Sequence, residues 1–226
     1  MDRSKKKIVV AIHTSDVTLK YLNNLFFELA PDIVVKNIVD DSLLQEVIDN
    51  GGITKGVIKR ICTYAILAEG AIGADLIFNQ CSSVGEAADI AAQLIDIPLV
   101  KIDERMAEVA CKAGTKIGVI ATLPTTLGPT VRLIKKTAEN LNKEVNITEK
   151  LSEGAFQLLR KGNIKKHNKM VIDAIKELSN EVDVIVCAQG SMVALLDELG
   201  EMTIPVLTSP RLGVEHVIDS LNKIKI

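Results

Sequence analysis

Short apolar runs, each closed by polar or turn-forming residues, alternate along this chain with longer stretches whose apolar positions recur every three or four residues. The runs Lys7–His13, Asp32–Ile38, Asp75–Gln80, Pro98–Ile102, Lys116–Ala121, Val145–Thr148, Asp183–Ala188 and Pro205–Leu207 read as strands. The stretches Val17–Leu29, Lys55–Ile72, Gly85–Ile95, Glu104–Ala113, Thr130–Leu141, Asn168–Leu178, Val193–Leu199 and Val214–Asn222 read as helices. Strands and helices in strict alternation predict an α/β protein, with parallel sheets covered by helices on both faces.

The pattern also repeats itself. Asp75-Leu-Ile-Phe-Asn-Gln-Cys81-Ser82-Ser83 is echoed by Asp183-Val-Ile-Val-Cys187-Ala-Gln189-Gly190-Ser191. A helical stretch and an Ile-Pro turn (Ile97-Pro98, Ile204-Pro205) follow each copy. The echo predicts two pseudo-symmetric Rossmann-like or flavodoxin-like lobes, each with a four-stranded parallel sheet. Residues 1–100 plus 208–226 would form the first lobe and 101–207 the second. Ligands of open parallel sheets gather at the carboxyl ends of the strands, so the active site is expected in a cleft between the lobes, faced by both duplicated turns.

Composition narrows the function. Of 226 residues, 47% are apolar but only 3% aromatic, so the core must be aliphatic, as in buried parallel strands. The 27 basic and 29 acidic residues nearly balance, and no basic stripe is interleaved with aromatics, which argues against nucleic acid as a partner. No apolar run approaches the roughly 20 residues of a membrane span, and the N-terminal residues lack the pattern of a secretion signal. The expectation is a cytoplasmic protein with reduced thiols. Its four cysteines are widely spaced and it has three histidines, which makes a structural metal site improbable.

Candidate chemistry clusters at strand ends. Cys81 closes a strand just before a helical stretch, with Ser82 or Ser83 as N-cap and Glu86 placed for a capping box with Ser83. A thiol at a helix start is expected to have a lowered pKa, and the same turn offers donors to a carboxylate. Aligned on the two aspartates, Gln189 falls opposite Cys81, and an amide only hydrogen-bonds. Cys187 lies two residues earlier, ~6–7 Å deeper along the strand; it is either a packed strand thiol or a second acid. Gly190 and Ser191 suit an anion-friendly helix start. Thr122, Thr125 and Thr126 lie in a turn with Pro124, Gly128 and Pro129, which is rich in donors unless Thr126 or Thr130 simply caps a helix. His13, Thr14 and Ser15 follow the first strand; His13 is a candidate base or hydrogen-bond partner, and Asp16 a helix cap. Arg211 either reaches an anionic group across the cleft or joins a surface ion pair. Cys62 and Cys111, within apolar-faced helices, read as packing residues, and His167 as part of a solvated stretch.

With these residues on view, the chain resembles the aspartate/glutamate/hydantoin racemase superfamily, a cofactor-independent group that also includes maleate isomerases and arylmalonate decarboxylases. The resemblance rests on Gln80–Glu86, Ile117–Thr126, Asp183–Met192 and Ile204–Arg211, and the threonine segment is most similar to the hydantoin-racemase-like branch. It implies a homodimer, no cofactor and no metal, and a small carboxylate substrate. It also implies one catalytic cysteine per lobe, one removing the Cα proton and the other reprotonating the opposite face. Cys81 matches the first position; Ser82, Ser83, Thr122, Thr125, Gly190 and Ser191 match places where substrate carboxylates are held. The second cysteine position holds Gln189. The resemblance therefore implies a racemase-type enzyme if Cys187 takes the second role. A lone Cys81 implies a one-cysteine lyase or isomerase, arylmalonate-decarboxylase-like or maleate-isomerase-like. A non-catalytic small-carboxylate binding protein is the reading from another class.

Overall fold

The computed structural model describes residues 6–224, which divide into two compact units: residues 6–102 with 211–224, and Asp103–Pro210. The first unit runs β1 (Ile8–His13), α1 (Leu19–Leu29), β2 (Val34–Val39), α2 (Ser42–Asp49), α3 (Lys55–Leu67), β3 (Leu76–Asn79), α4 (Gly85–Ala91) and β4 (Leu99–Lys101). The second runs α5 (Glu104–Ala113), β5 (Lys116–Ala121), α6 (Pro124–Asn140), β6 (Asn146–Leu151), α7 (Ala155–Arg160), α8 (Ile164–Leu178), β7 (Val184–Cys187), α9 (Leu196–Leu199) and β8 (Val206–Thr208). From Arg211 onward, α10 (Ser209–Lys223) belongs to the first unit.

Each unit holds one four-stranded, all-parallel sheet, ordered β2-β1-β3-β4 and β6-β5-β7-β8. The two-residue period of a strand sorts the side chains of the first sheet between two cores. Val10, Ile12 and Ile77 pack with Val57, Ile61 and Ala65 of α3 and Ala87 and Ala91 of α4. Val9, Ala11, Leu76 and Phe78 pack with Leu22, Leu25 and Phe26 of α1 and with Val214, Val217 and Leu221 of α10. The return of α10 depends on Gly213, where an added Cβ would lie 2.7 Å from the Ile102 carbonyl oxygen. In the second unit, Ile120, Ile185 and Cys187 face Val171, Ile175 and Leu178 of α8.

The repeated aspartates have a structural task. Asp75 Oδ2 accepts from the Ile8 N–H at 2.7 Å, and Asp183 Oδ2 from the Thr115 and Lys116 N–H groups at 2.9 and 2.8 Å. Each carboxylate thus ties the start of β3 or β7 to the start of the neighbouring strand. These backbone donors hold the Asp183 carboxyl below its ordinary pKa.

Three elements differ from expectation. The threonine segment is not a loop: α6 starts at Pro124, with Leu123 at its N-cap and no side-chain cap, so neither Thr126 nor Thr130 caps it. Proline is well suited to a first helical position, and Pro129, one turn further on, is also accommodated within the helix. The expected helix over Val193–Leu199 is a 3₁₀ turn, Gly190–Leu195, followed by the short α9. The helix after Cys81 starts at Gly85, behind a 3₁₀ turn over Ser82–Val84, and neither turn nor helix has a side-chain cap.

Candidate active site

The carboxyl end of the first sheet gathers His13, Thr14, Cys81, Ser82 and Ser83. Parallel pairing of β1 with β3 places the residues after both strands side by side. The Cys81 sulfur is approached by hydrogen bonds from the Thr14 hydroxyl, the Ser83 backbone and hydroxyl, and the Val84 backbone. Ser82 and Ser83 are themselves buried. The Asn79 Nδ2 group donates to the Cys81 carbonyl at 3.0 Å and so fixes the turn. The thiol is half-buried as a residue, and burial pushes its pKa above the ordinary value, against the pull of those four hydrogen bonds. The expectation of a lowered pKa is thus corrected: desolvation outweighs the donors, and no regular helix starts directly behind the sulfur. The donors still matter, because each is aimed at a sulfur that becomes anionic when it gives up its proton.

The second sheet repeats the arrangement with different chemistry. Thr122 follows β5 as Thr14 follows β1, and Gln189 follows β7 at the same sequence offset as Cys81 follows β3. Where Thr14 meets a sulfur, Thr122 meets an amide: its N–H and hydroxyl both donate to Gln189 Oε1, at 2.6 and 2.9 Å. Thr122 is therefore committed to Gln189 and does not offer these donors to a carboxylate, as the sequence had suggested. Gln189 Nε2 has no partner among the described residues.

Cys187 belongs to the core. It is 1% exposed, the last residue of β7, and packed with Ile120, Val171, Ile175 and Leu195. Desolvation pushes its pKa up to about 12, which leaves about one thiolate in 10⁵ at pH 7. Gln189, two residues on, lies past the end of the strand.

The remaining candidates divide. Thr125 Oγ1 is buried without a partner near the start of α6, and Thr126 is buried beside it. Gly190 and Ser191 are half-buried in the 3₁₀ turn, which is too short to supply the helix start that was expected there. Ser15 is half-buried beyond Thr14. Arg211 pairs with Glu28 at 2.6 Å and lies near Glu215 in an exposed ion pair. His167 is buried on α8, not solvated, with Nδ1 2.9 Å from Asn168 Oδ1. Cys111 is buried and Cys62 half-buried; all four cysteines are free.

Two residues at this end of the first sheet escaped sequence reasoning. Asn37 of β2 lies beside His13, its Oδ1 2.9 Å from Nε2. Gln80, between β3 and Cys81, has both polar side-chain atoms buried and unpartnered. Asn37 carries no motif, and Gln80 only opens the segment Gln80–Glu86; the register of the parallel strands is what brings both beside His13. Behind them, Asp40 joins β2 to α2 and α3, accepting from Ser42, Arg60 and Tyr64. Burial pushes this carboxyl up, but those hydrogen bonds and the Arg60 charge outweigh it and hold its pKa below the usual value.

Among the described residues, no group of three or more His, Cys, Asp or Glu side chains is placed to hold a metal ion. No helix among them is long and apolar enough to cross a membrane.

Comparison with known proteins accords with this geometry. The model of the Asp/Glu/Hydantoin racemase family matches residues 14–217. The fold is shared with a glutamate racemase from Bacillus anthracis (14% identity, TM-score 0.71, 96% of this chain and 82% of that one). It is shared also with an allantoin racemase from Klebsiella pneumoniae (18%, 0.66, 96% and 88%) and with the aspartate racemase of Picrophilus torridus (18%, 0.66, 96% and 94%). No curated protein matches the chain by sequence. The family match spans most of the chain, and the protein belongs to the Asp/Glu/hydantoin racemase family.

Proposed function

We propose that this protein is a cofactor-independent, racemase-type enzyme that removes a proton from a carbon next to a carboxylate, with Cys81 as the base. The observation that carries the reading is the hydrogen-bonding of the Cys81 sulfur by Thr14, Ser83 and Val84. A packing thiol needs no such donors; a thiolate formed during turnover does. As the sulfur takes the Cα proton, the negative charge it held passes to the substrate. Ser82 and Ser83, in the turn behind the sulfur, are the candidates to receive that charge.

The burial of Cys187 and the presence of Gln189 favour a second reading within the same family, in which one thiol works on one face only. Inversion requires a proton source on each face. An amide oxygen held by two donors has no proton to supply, so this reading gives exchange, decarboxylation or isomerisation with a single product configuration.

The test is proton NMR in D₂O with amino acids, hydantoins, 2-substituted malonates and maleate, following the Cα–H signal and product configuration. Loss of the signal with both enantiomers formed supports two-face chemistry. Loss of the signal, or of carbon dioxide, with one configuration supports the one-thiol reading. No exchange with any of these carboxylates counts against the proposal.

A further inference from the structure

A cleft lies wholly within the second unit, between the edge strand β6 and helices α7 and α8. It encloses about 520 Å³, inside the range of roughly 300–1,000 Å³ for small-molecule sites. On α8 its lining residues Lys166, Lys169, Met170, Asp173, Ala174 and Glu177 recur every three or four positions, so one face of the helix opens onto the cleft. The far face, with Val171, Ile175 and Leu178, packs against β5 and β7.

Ser152 borders the cleft just past β6. Its N–H still donates to the Ala121 carbonyl at 2.8 Å, so the two-residue strand period carries on from Lys150 to Ser152. Lys150 reaches α8, where its Nζ donates to Glu177 Oε2 at 2.7 Å, and Ser152 takes the same side. Ser152 is 5% exposed, and its hydroxyl oxygen is buried with no partner among the described residues. A buried polar atom left unbonded is rare and costly, and this one adjoins space that a bonding group can fill.

The charges around the cleft are unevenly matched. Lys150 pairs with Glu177, and Lys169 with Asp173 at 2.6 Å. Lys166 and Glu153 have no charged partner among the described residues. Because β6 and β7 both run parallel to β5, α8 returns antiparallel to β6. The Lys150–Glu177 pair therefore marks the end of α8, and Ser152, Glu153 and Lys166 lie toward its start. Leu151, Leu158, Met170 and Ala174 give the cleft an apolar wall. One end thus offers a cation, an anion and a hydroxyl, and the rest offers apolar surface and ion pairs already satisfied.

We propose that this cleft binds a small zwitterion with an apolar body, of the chemistry of an aliphatic α-amino acid. The ligand's ammonium pairs with Glu153, its carboxylate with Lys166 and the Ser152 hydroxyl, and its side chain lies on the apolar wall. A lone carboxylate leaves Glu153 unpaired, and a lone amine leaves Lys166 unpaired. The inference is independent of the proposed function: none of these residues belongs to the candidate active site, and binding requires no proton transfer at Cys81.

The experiment is ¹³C-methyl NMR on the full chain labelled at methionine, with the Met170 signal assigned through Met170→Leu. The probes are leucine and three analogues: 4-methylpentanoate omits the ammonium, isopentylamine the carboxylate, and glycine the side chain. Leucine should shift the Met170 signal saturably and bind at least about threefold tighter than each analogue. Glu153→Gln should bring leucine toward parity with 4-methylpentanoate, and Lys166→Gln toward parity with isopentylamine. Ser152→Ala should weaken leucine by about two- to tenfold, while the melting temperature stays level or rises because an unbonded hydroxyl is gone. A Met170 signal that ignores leucine, equal affinity for leucine and its single-charge analogues, or full affinity in Ser152→Ala overturns the site. Leucine binding at full strength in both charge variants places it elsewhere on the chain and overturns the site as well.

Discussion

Replacing Cys187 by Ala separates packing from chemistry. The side chain is 1% exposed and contacts the aliphatic core formed with α8, while the backbone pairs in register with Ile120 and Thr208. Alanine keeps the backbone and deletes only the sulfur. Counting the sulfur as one methylene gives a transfer loss of about 0.8 kcal/mol. A residual void of ~25 Å³ at about 24 cal/mol per Å³ adds ~0.6 kcal/mol. The variant should lose about 1–2 kcal/mol, seen as a melting temperature lower by about 2–8 °C for a chain of this size. A sulfur whose pKa is pushed up to about 12 and which lies in the core takes no part in proton transfer, so the exchange rate in D₂O should stay within about twofold of wild type. Removing a positioned acid or base typically costs 10²–10⁴-fold. A fall of that size in a variant that still melts cooperatively would refute the reasoning and make Cys187 the second acid.

Three further outcomes follow from the same geometry. Because burial raises the Cys81 pKa, its thiolate fraction grows as pH rises; kcat/KM should climb from neutral pH through the ordinary thiol range near 9.0, and a plateau already reached at pH 7 would contradict this. His13 has a folded-state pKa below its unfolded value of 6.5, so the unfolded chain binds the proton more readily and stability should fall as pH drops below about 6.5. Denaturant melts between pH 5 and 7 should show this slope flattened in His13→Gln. Gly213→Ala forces a Cβ to within 2.7 Å of the Ile102 carbonyl oxygen and 3.1 Å of Phe78, so it should cost about 1–3 kcal/mol in a chemical melt; a neutral result would mean that α10 can shift freely.

The apolar runs made the central strands legible, because buried parallel strands are written as uninterrupted aliphatic stretches; the edge strands β2 and β6 are interrupted by polar residues and half-exposed. The duplicated aspartates made the two-sheet repeat legible, although their role as anchors for neighbouring strand starts needed coordinates. The helices α2 and α7 went unread, being too short for their periodicity to stand out. Pro124 and Pro129 suggested a turn, yet proline at a first helical position favours a helix. At the site, Cys81 stood out because a cysteine between a strand and a serine pair is unusual in sequence. Its raised pKa did not, because desolvation depends on residues that the sequence does not place beside it. The bearing of Asn37 and Gln80 on His13 was invisible for a related reason: it comes from strand register, which no local pattern encodes.

The most direct test of the account is Cα–H exchange in D₂O by wild type and Cys81→Ser side by side, with circular dichroism and melting curves for both. Serine keeps the size and hydrogen bonding of the turn, but its hydroxyl is a far weaker acid than a thiol. The account predicts at least about a 10²-fold loss of exchange with the fold intact. Exchange at the wild-type rate in Cys81→Ser would contradict it and place the base elsewhere.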